Sequence, residues 1–386
     1  MSLKERATSA FESVERDLVE ISTWLFENPE TSYQEHESSK RLAGFLGEHG
    51  FEVSHPAHGL ATAFEANVGA VGPRVVICAE YDALPGVGHA CGHNIIATSS
   101  LGAGVAVAGL VEELGIRVTV LGTPGEEGKG GKIDLIKAGA FDDAAASMLI
   151  HPSSKDMADP RVLAAQGVRV TYHGKEAHAA ATPHVGVNAL DAFVQAYNNV
   201  STARQQFEPG DRVHGVIGDG GVAPNVIPAR TVSNWIIRAQ TIERFESLRS
   251  RIIDCFRAAA TATGCTVEIE EDEVYFDLVS DPALVDLFVA NARAIGREMP
   301  TFAETGEHTY ASTDMGNVSH IVPSIHPSLK IDTEAVNHQP EFAAATITPS
   351  GNQALRDGSL AMAHTIIDMA KTDIWSKWSI GVDSGP

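Results

Sequence analysis

The sequence predicts an α/β protein: a catalytic domain with a mixed, largely parallel sheet flanked by helices, interrupted by an inserted βαββαβ ferredoxin-like domain. Three observations predict it. Runs such as Arg74-Val75-Val76-Ile77-Cys78-Ala79 and Ile116-Arg117-Val118-Thr119-Val120-Leu121 are short and β-branched, as strands buried on both faces are. An apolar helical stretch, Ile95 to Leu114, lies between them, which gives the βαβ rhythm of parallel neighbours. From Gly167 to about Asp277 the pattern becomes strand, helix, two strands, helix, strand, the split ferredoxin-like order.

In chain order, the first fifty residues carry apolar stripes at helical spacing, Leu18, Ile21, Leu25 and then Leu42, Phe45, Leu46, broken at Asn28-Pro29-Glu30-Thr31. Two surface helices are expected. Strands follow near 61–67 and 74–80. The apolar run from Ile95 to Val111 falls short of the ~20 residues a bilayer requires and is rich in Gly, Ala and Ser, which reads as a tightly packed interior helix. A further strand, Ala146–Ile150, runs into His151. The inserted domain is expected as strand 167–172, helix 187–202, strands 212–217 and 229–238, helix 242–262 and strand 265–271. The boundaries are therefore 1–166 and 278–386 for the two parts of the catalytic domain and 167–277 for an inserted lid or dimerisation domain, with a short tail from about Lys371.

Charge narrows the partners. With 28 Lys+Arg against 50 Asp+Glu, a formal charge of -22, the chain lacks the basic surface that nucleic acid or an anionic membrane requires. The four cysteines, Cys78, Cys91, Cys255 and Cys265, follow no disulfide framework, and Met1-Ser2-Leu3-Lys4-Glu5-Arg6 has no apolar leader core, so a reducing, cytoplasmic setting is expected.

Chemistry concentrates where strands end. The run Glu80-Tyr81-Asp82-Ala83-Leu84-Pro85-Gly86-Val87-Gly88-His89-Ala90-Cys91-Gly92-His93-Asn94 delivers two carboxylates and then a Cys-x-His pair at a helix start, with Asn94 as the expected N-cap. A thiol there ionises readily beside a cation. The next strand runs into Pro124-Gly125-Glu126-Glu127, and another into His151. Ligands of open α/β sheets bind beyond the carboxyl ends of the strands, so Asp82, Cys91, His93, Glu126, Glu127 and His151 can share one crevice. Of two adjacent carboxylates, one can bind metal while the other takes a proton from water. With His338 added there are donors for two divalent cations, and thiolate, imidazole and carboxylate together suit zinc, manganese, nickel or cobalt better than magnesium or calcium.

The motifs Asp82-Ala83-Leu84-Pro85, His89-Ala90-Cys91-Gly92-His93-Asn94, Pro124-Gly125-Glu126-Glu127, Gly174-Lys175-Glu176-Ala177-His178-Ala179 and Asn225-Val226-Ile227-Pro228 occur in consistent order between Asn28 and Phe342. This set resembles the co-catalytic metallopeptidases of the aminoacylase and carboxypeptidase G type. Within them it is most similar to the hippurate, auxin-conjugate and p-aminobenzoyl-glutamate hydrolases, and among those to the β-alanyl-lysine dipeptidase-like group. The resemblance implies that Cys91 bridges two metals, His93 and His151 complete one site, and Glu127 and His338 the other. It makes Glu126 the general base and later the acid, and Asp82 the residue that orients a ligand. It also implies that His178 stabilises the oxyanion across a homodimer formed through the inserted domain, and that Asn225 and Arg238 face the substrate. Thr313-Asp314-Met315-Gly316 is expected to line the pocket. The chain departs from the commoner branch at Asn94, where Asp is usual, and at Glu80-Tyr81, which bears on hydrogen bonding around the ligands. His55, His58, His89, His173, His184, His308, His320 and His326 are read as structural or exposed.

The expected activity is hydrolysis of the amide bond of a small N-acyl amino acid, dipeptide or aryl-amide conjugate. Three alternatives stay open: hydrolytic deamination on the same centre, a cysteine hydrolase with Cys91 as nucleophile and His93 or His151 as base, and a non-catalytic binding relative.

Overall fold

The computed structural model describes residues 1–372 and 374–378. The chain divides into two compact units: Met1–Arg161, Leu278–Thr309 and Thr313 onward form one, and Val162–Asp277 with Tyr310–Ser312 form the other.

The first unit opens with three helices, Leu3–Glu12, Glu15–Glu27 and His36–Glu48, where the sequence suggested two. The extra break falls at Ser13-Val14, after a helix capped by a Ser2–Glu5 capping box. Strands β1 (Glu52–Ser54), β2 (Phe64–Val68), β3 (Arg74–Ala79), β4 (Arg117–Gly122) and β5 (Ala144–Met148) follow. With β11 (Ser324–Ile325), numbered in chain order, they form a six-stranded sheet ordered β1-β2-β4-β3-β5-β11. Neighbours from β4 to β11 run parallel, and β1 and β2 join antiparallel at the edge. A two-stranded parallel pair, β6 (His151–Ser153) with β12 (Ser328–Lys330), extends the β5 and β11 paths. Every residue of β3 is buried, as its unbroken apolar run requires.

The helix His93–Ala108 is buried along its length up to Val107. It packs between β3, β4 and the long helix Pro349–Lys371. Small residues make this possible. A Cβ at Gly102 would lie 2.4 Å from Ser359 Oγ and 3.0 Å from Phe11 Cε2, and one at Gly104 would lie 2.5 Å from Val120 Cγ2. Its apolar character is thus that of an interior helix. None of the helices among the described residues is long and apolar enough to cross a membrane. Of the tail expected from about Lys371, residues 379–386 lie outside the described residues. Ile374–Lys377 form a helical turn, and Trp378 Nε1 donates to Asp281 Oδ2 at 3.0 Å.

The second unit is built from β7 (Ala164–His173), the helix Ala189–Ala203, β8 (Arg212–Asp219), β9 (Arg230–Ala239), the helix Ile242–Thr263 and β10 (Thr266–Glu271). Its sheet is antiparallel throughout and ordered β10-β7-β9-β8. Two helices pack on one core built around Tyr172, Trp235, Phe245 and Phe256.

Overpacking the buried helix should be costly. Gly102→Ala is expected to lower stability by about 1–3 kcal/mol, read as a lower urea midpoint at unchanged slope; an unchanged midpoint would show that the two helices can separate freely.

Candidate metal centre

Four parallel strand ends meet at one edge of the sheet. β3 leads into Glu80 and Asp82, β4 into Glu126 and Glu127, β5 into His151, and β11 into His326. Between β3 and the buried helix the chain makes a compact loop in which Gly92 takes φ +85. A Cβ at Gly92 would lie 2.3 Å from Pro152 Cγ, so glycine is required for Cys91 and His93 to approach His151. The helix cap is Gly92 itself rather than Asn94. Asn94 lies inside the helix, where its Nδ2 donates to Ser22 Oγ at 3.0 Å and Thr346 Oγ1 at 3.1 Å, away from the ligand cluster.

Three sets of donor atoms lie within 4.8 Å of one another: Cys91, His93 and His151; Cys91, Glu127 and His338; and His93, Glu126 and Glu127. Cys91 belongs to two of them. Its Sγ lies 3.4 Å from His151 Nε2, while His151 Nδ1 donates to the Pro152 carbonyl at 2.8 Å, which leaves the Nε2 lone pair toward the thiol. His93 is oriented the same way: Nδ1 pairs with Asp82 Oδ1 at 3.0 Å. The other Asp82 oxygen accepts from Ser32 Oγ at 2.8 Å and from the Glu127 backbone N–H at 3.0 Å. His93 Nε2 then faces Glu80 Oε2 at 3.6 Å, Glu127 Oε1 at 3.8 Å and Glu126 Oε2 at 3.9 Å. His338 adopts φ +74, its N–H bonds the Ala90 carbonyl at 2.8 Å, and its Nε2 lies 3.6 Å from Glu127 Oε1.

The donor set fits divalent cations. His93 Nε2, Glu127 Oε1 and Glu80 Oε2 are buried with no hydrogen-bond partner among the described residues. Orphaned buried polar atoms each cost about 1–3 kcal/mol, and the carboxylate oxygens of Glu80 and Glu127, both facing His93 Nε2, call for positive charge at that nitrogen or beside it. Electrostatics agree. Burial, then Glu127, pushes the Cys91 thiol well up. Burial, with Glu80, Glu127 and Asp314, pushes Glu126 well above the usual carboxyl range. Burial, with His326 and His93, pushes His151 down to about 3. A protonated thiol beside so weak a base is the reverse of an activated Cys–His nucleophile, and a cation would ionise the thiol directly.

His178, Asn225 and Arg238 belong to the second unit. His178 is exposed, and its Nδ1 accepts from the N–H groups of Ala180 at 3.2 Å and Ala181 at 3.1 Å. The Asn225 carbonyl accepts from Ala179 N–H at 3.0 Å, which ties Asn225 to the same turn. Arg238 is half-buried, and its Nη1 donates to Ser312 Oγ at 2.7 Å.

Several residues around the cluster escaped the sequence reading. Glu35 accepts from Gly125 N–H and Thr62 Oγ1, both at 2.9 Å, and burial, then Asp82, raises it to about 7. Tyr33, at φ +61, packs on Gly125 and donates to Asp134 at 2.7 Å. Asn337 Nδ2 donates to the Cys91 and Pro152 carbonyls at 3.3 and 3.2 Å. The segment Pro29 to Glu35 reads as a helix break, yet it buttresses the Glu126–Glu127 loop; two glutamates five apart around that break were the available signal. Asp314 is fully buried and pairs with Lys132 Nζ at 2.6 Å. His89 and His326, read as structural, are both buried with neither ring nitrogen hydrogen-bonded among the described residues.

Comparison with known proteins bears on the same residues. The family described as Peptidase family M20/M25/M40 matches residues 76–350. The chain is 40% identical over 391 residues to the Xaa-Arg dipeptidase of Mus musculus, spanning 95% of this chain and 89% of the relative. It is 28% identical over 388 residues to a component of the p-aminobenzoyl-glutamate hydrolase of Escherichia coli (strain K12), spanning 94% and 80%. The solved structure of a dinuclear metal binding peptidase of family M20 from Bacillus subtilis is similar at a TM-score of 0.73 and 19% identity, over 94% of this chain and 99% of that one, a likeness of fold.

The buried histidines set a pH dependence. Burial, with His93, pushes His89 to about 3; His151 is at about 3; and burial, with Lys132, pushes His326 to about 4, against 6.5 when unfolded. Below 6.5 these three rings therefore bind more protons in the unfolded chain than in the folded one, so the stability they contribute is lost as pH falls, while Glu35, raised to about 7, and Glu126 act in the opposite sense. In the metal-free protein His326→Asn is expected to make the unfolding free energy less dependent on pH between about 6.5 and about 4.5, by up to about 1.4 kcal/mol per pH unit. A slope unchanged by that substitution would mean that His326 is already protonated in the fold.

Proposed function

The chain belongs to Peptidase family M20/M25/M40, and on that premise we propose that this metal-dependent hydrolase of small amides is a dipeptidase whose substrates end in a cationic residue, of Xaa-Arg and β-alanyl-lysine type. The observation that carries the reading is the meeting of three donor sets, two of them sharing Cys91, with the buried carboxyl of Glu126 in the third. The 40% identical relative is an Xaa-Arg dipeptidase by name. A formal charge of -22 attracts a cationic substrate and opposes p-aminobenzoyl-glutamate, which carries two carboxylates.

Cys91, His93 and His151 would hold one cation, and Cys91, Glu127 and His338 the other. The thiolate favours zinc, and manganese, nickel and cobalt also suit the mixed set. When bound, the cations supply Lewis acidity that lowers the pKa of water and polarises the amide carbonyl. Glu126 takes a proton from the attacking water and delivers it to the leaving nitrogen. Asp82 holds His93 with Nε2 turned toward the cluster. His178, with Nδ1 occupied as an acceptor, carries its proton on Nε2 when neutral and offers it to the carbonyl oxygen as negative charge develops. Asn225 and Arg238 hold the substrate, the guanidinium through its carboxylate.

The same reading makes the protein a homodimer through the second unit. Strand β8 is a sheet edge, and it and the helix Ala189–Ala203 expose Val216, Ile217, Val194 and Tyr197, the first at 65%. Cys78, Cys91, Cys255 and Cys265 are all free thiols, which supports a reducing, cytoplasmic setting.

Hydrolysis of a panel of Xaa-Arg, β-alanyl-lysine, N-acetyl and N-benzoyl amino acids and p-aminobenzoyl-glutamate, before and after chelation with zinc or manganese restored, tests the reading. Turnover should be confined to the cationic dipeptides and lost with the metal. Turnover of p-aminobenzoyl-glutamate alone would overturn the substrate class, and turnover of nothing in any metal form would favour a binding relative. Glu126→Gln should lower kcat by about 10²–10⁴-fold while metal content stays that of the wild type. Light scattering should give a dimer that Val216→Glu converts to a monomer; a monomeric wild type would sink the interface.

A further inference from the structure

Beside the donor cluster lies a charged triad sealed from solvent. Lys132 Nζ is 2.5 Å from Glu80 Oε1 and 2.6 Å from Asp314 Oδ1, and all three side chains are at 0% exposure. The second Asp314 oxygen accepts the backbone N–H of Lys132 at 2.9 Å. Three segments are thereby joined: the end of β3, the helix Gly131–Lys137 that leaves the Glu126–Glu127 loop, and the start of the helix Met315–Ser319. The loop is tied down on the same side. Gly130 N–H bonds the Gly125 carbonyl at 3.1 Å, and a Cβ at Gly131 would lie 1.8 Å from the Pro124 carbonyl oxygen, so the helix begins directly against the loop.

The triad ends at the cluster. With Oε1 held by Lys132, Glu80 turns Oε2 toward His93 Nε2 at 3.6 Å, and Glu127 Oε1 stands 3.8 Å from the same nitrogen. None of these three atoms has a hydrogen-bond partner among the described residues. A buried ion pair serving only stability is often no better than apolar residues of the same size. One that leaves a carboxylate oxygen, a ligand imidazole and a ligand carboxylate orphaned together has another use. Burial works against the Lys132 ammonium, yet Asp314 and Glu80 hold it well above its ordinary value, so the clamp stays charged.

We propose that Lys132 is a positioning residue of the metal centre: by clamping Glu80 and the base of the Glu126–Glu127 loop to Asp314, it holds Glu80 Oε2 and Glu127 Oε1 against His93 Nε2. The inference rests on the reading of that cluster as a metal site and adds the group that holds it in shape.

Two variants separate positioning from charge balance. Lys132→Met leaves two buried carboxylates unpaired. The double variant Lys132→Met/Asp314→Asn keeps the triad's net charge at that of the wild type but removes the clamp. Zinc affinity measured by competition with a chromophoric chelator, the melting temperature of the metal-free protein, and kcat and KM on β-alanyl-lysine are the readouts. Both variants should bind zinc about 10–100-fold more weakly and lose kcat, with KM changed by less than about threefold, and the double variant should melt higher than the single one. Wild-type zinc affinity and kcat in the double variant would overturn the proposal, since charge balance alone would then suffice. So would wild-type affinity in Lys132→Met. Should the single variant fail to fold, the double variant decides. A wild-type chain that binds no zinc would overturn the metal reading, and this inference with it.

Discussion

The carboxylate of Asp82 is the constraint on which the site depends. It is 1% exposed, and its two oxygens take three bonds from three separate segments: the ring of His93, the hydroxyl of Ser32 and the backbone of Glu127. Burial opposes its charge, and His93 together with the Glu127 N–H and Ser32 outweighs burial and holds it below the usual carboxyl range. Because β3 delivers Asp82 at its carboxyl end, the sheet fixes the position of this anion. The anion in turn fixes the tautomer of His93 and the path of the loop that carries Glu126 and Glu127.

Around that point the fold gathers acid groups at a density that a solvent-free interior does not otherwise tolerate. Glu35, Glu80, Asp82, Glu126 and Asp314 are all buried within the first unit. Each finds its own answer to burial. Asp82 is ionised by its hydrogen bonds, Glu80 is held below the usual range by Lys132 against its burial, and Glu35, Glu126 and Asp314 are pushed upward by burial toward the neutral form. Carboxyls driven in opposite directions within one cluster are what acid–base chemistry near neutral pH uses.

Much of this was legible in the sequence because it is local. Residues two apart at a helix start, adjacent glutamates after a Pro-Gly turn and a histidine ending a buried strand all announce themselves at short range, and the periodicity of β3 and β4 places them at one sheet edge. The order of strands and helices in the second unit was equally plain, since alternation and helical spacing are local properties. The expected pair of helices became three because a break at Ser13-Val14 leaves little trace in an apolar stripe. Asn94 was misread as a cap because Gly92, in a left-handed conformation, takes that place.

The sequence by itself determined which donor types the chain owns, that they stand at the ends of parallel strands, and that the charge of the protein is opposed to a polyanionic partner. Only the tertiary structure decided what each acid does. Glu80 and Asp314 are separated by more than two hundred residues, and only folding brings both to the Lys132 ammonium. His338 reaches Glu127 because a left-handed backbone pinned to Ala90 turns it there. Side-chain chemistry is written in the residue, whereas the field that sets its protonation comes from partners distant in the chain. That field exists only once water has been excluded.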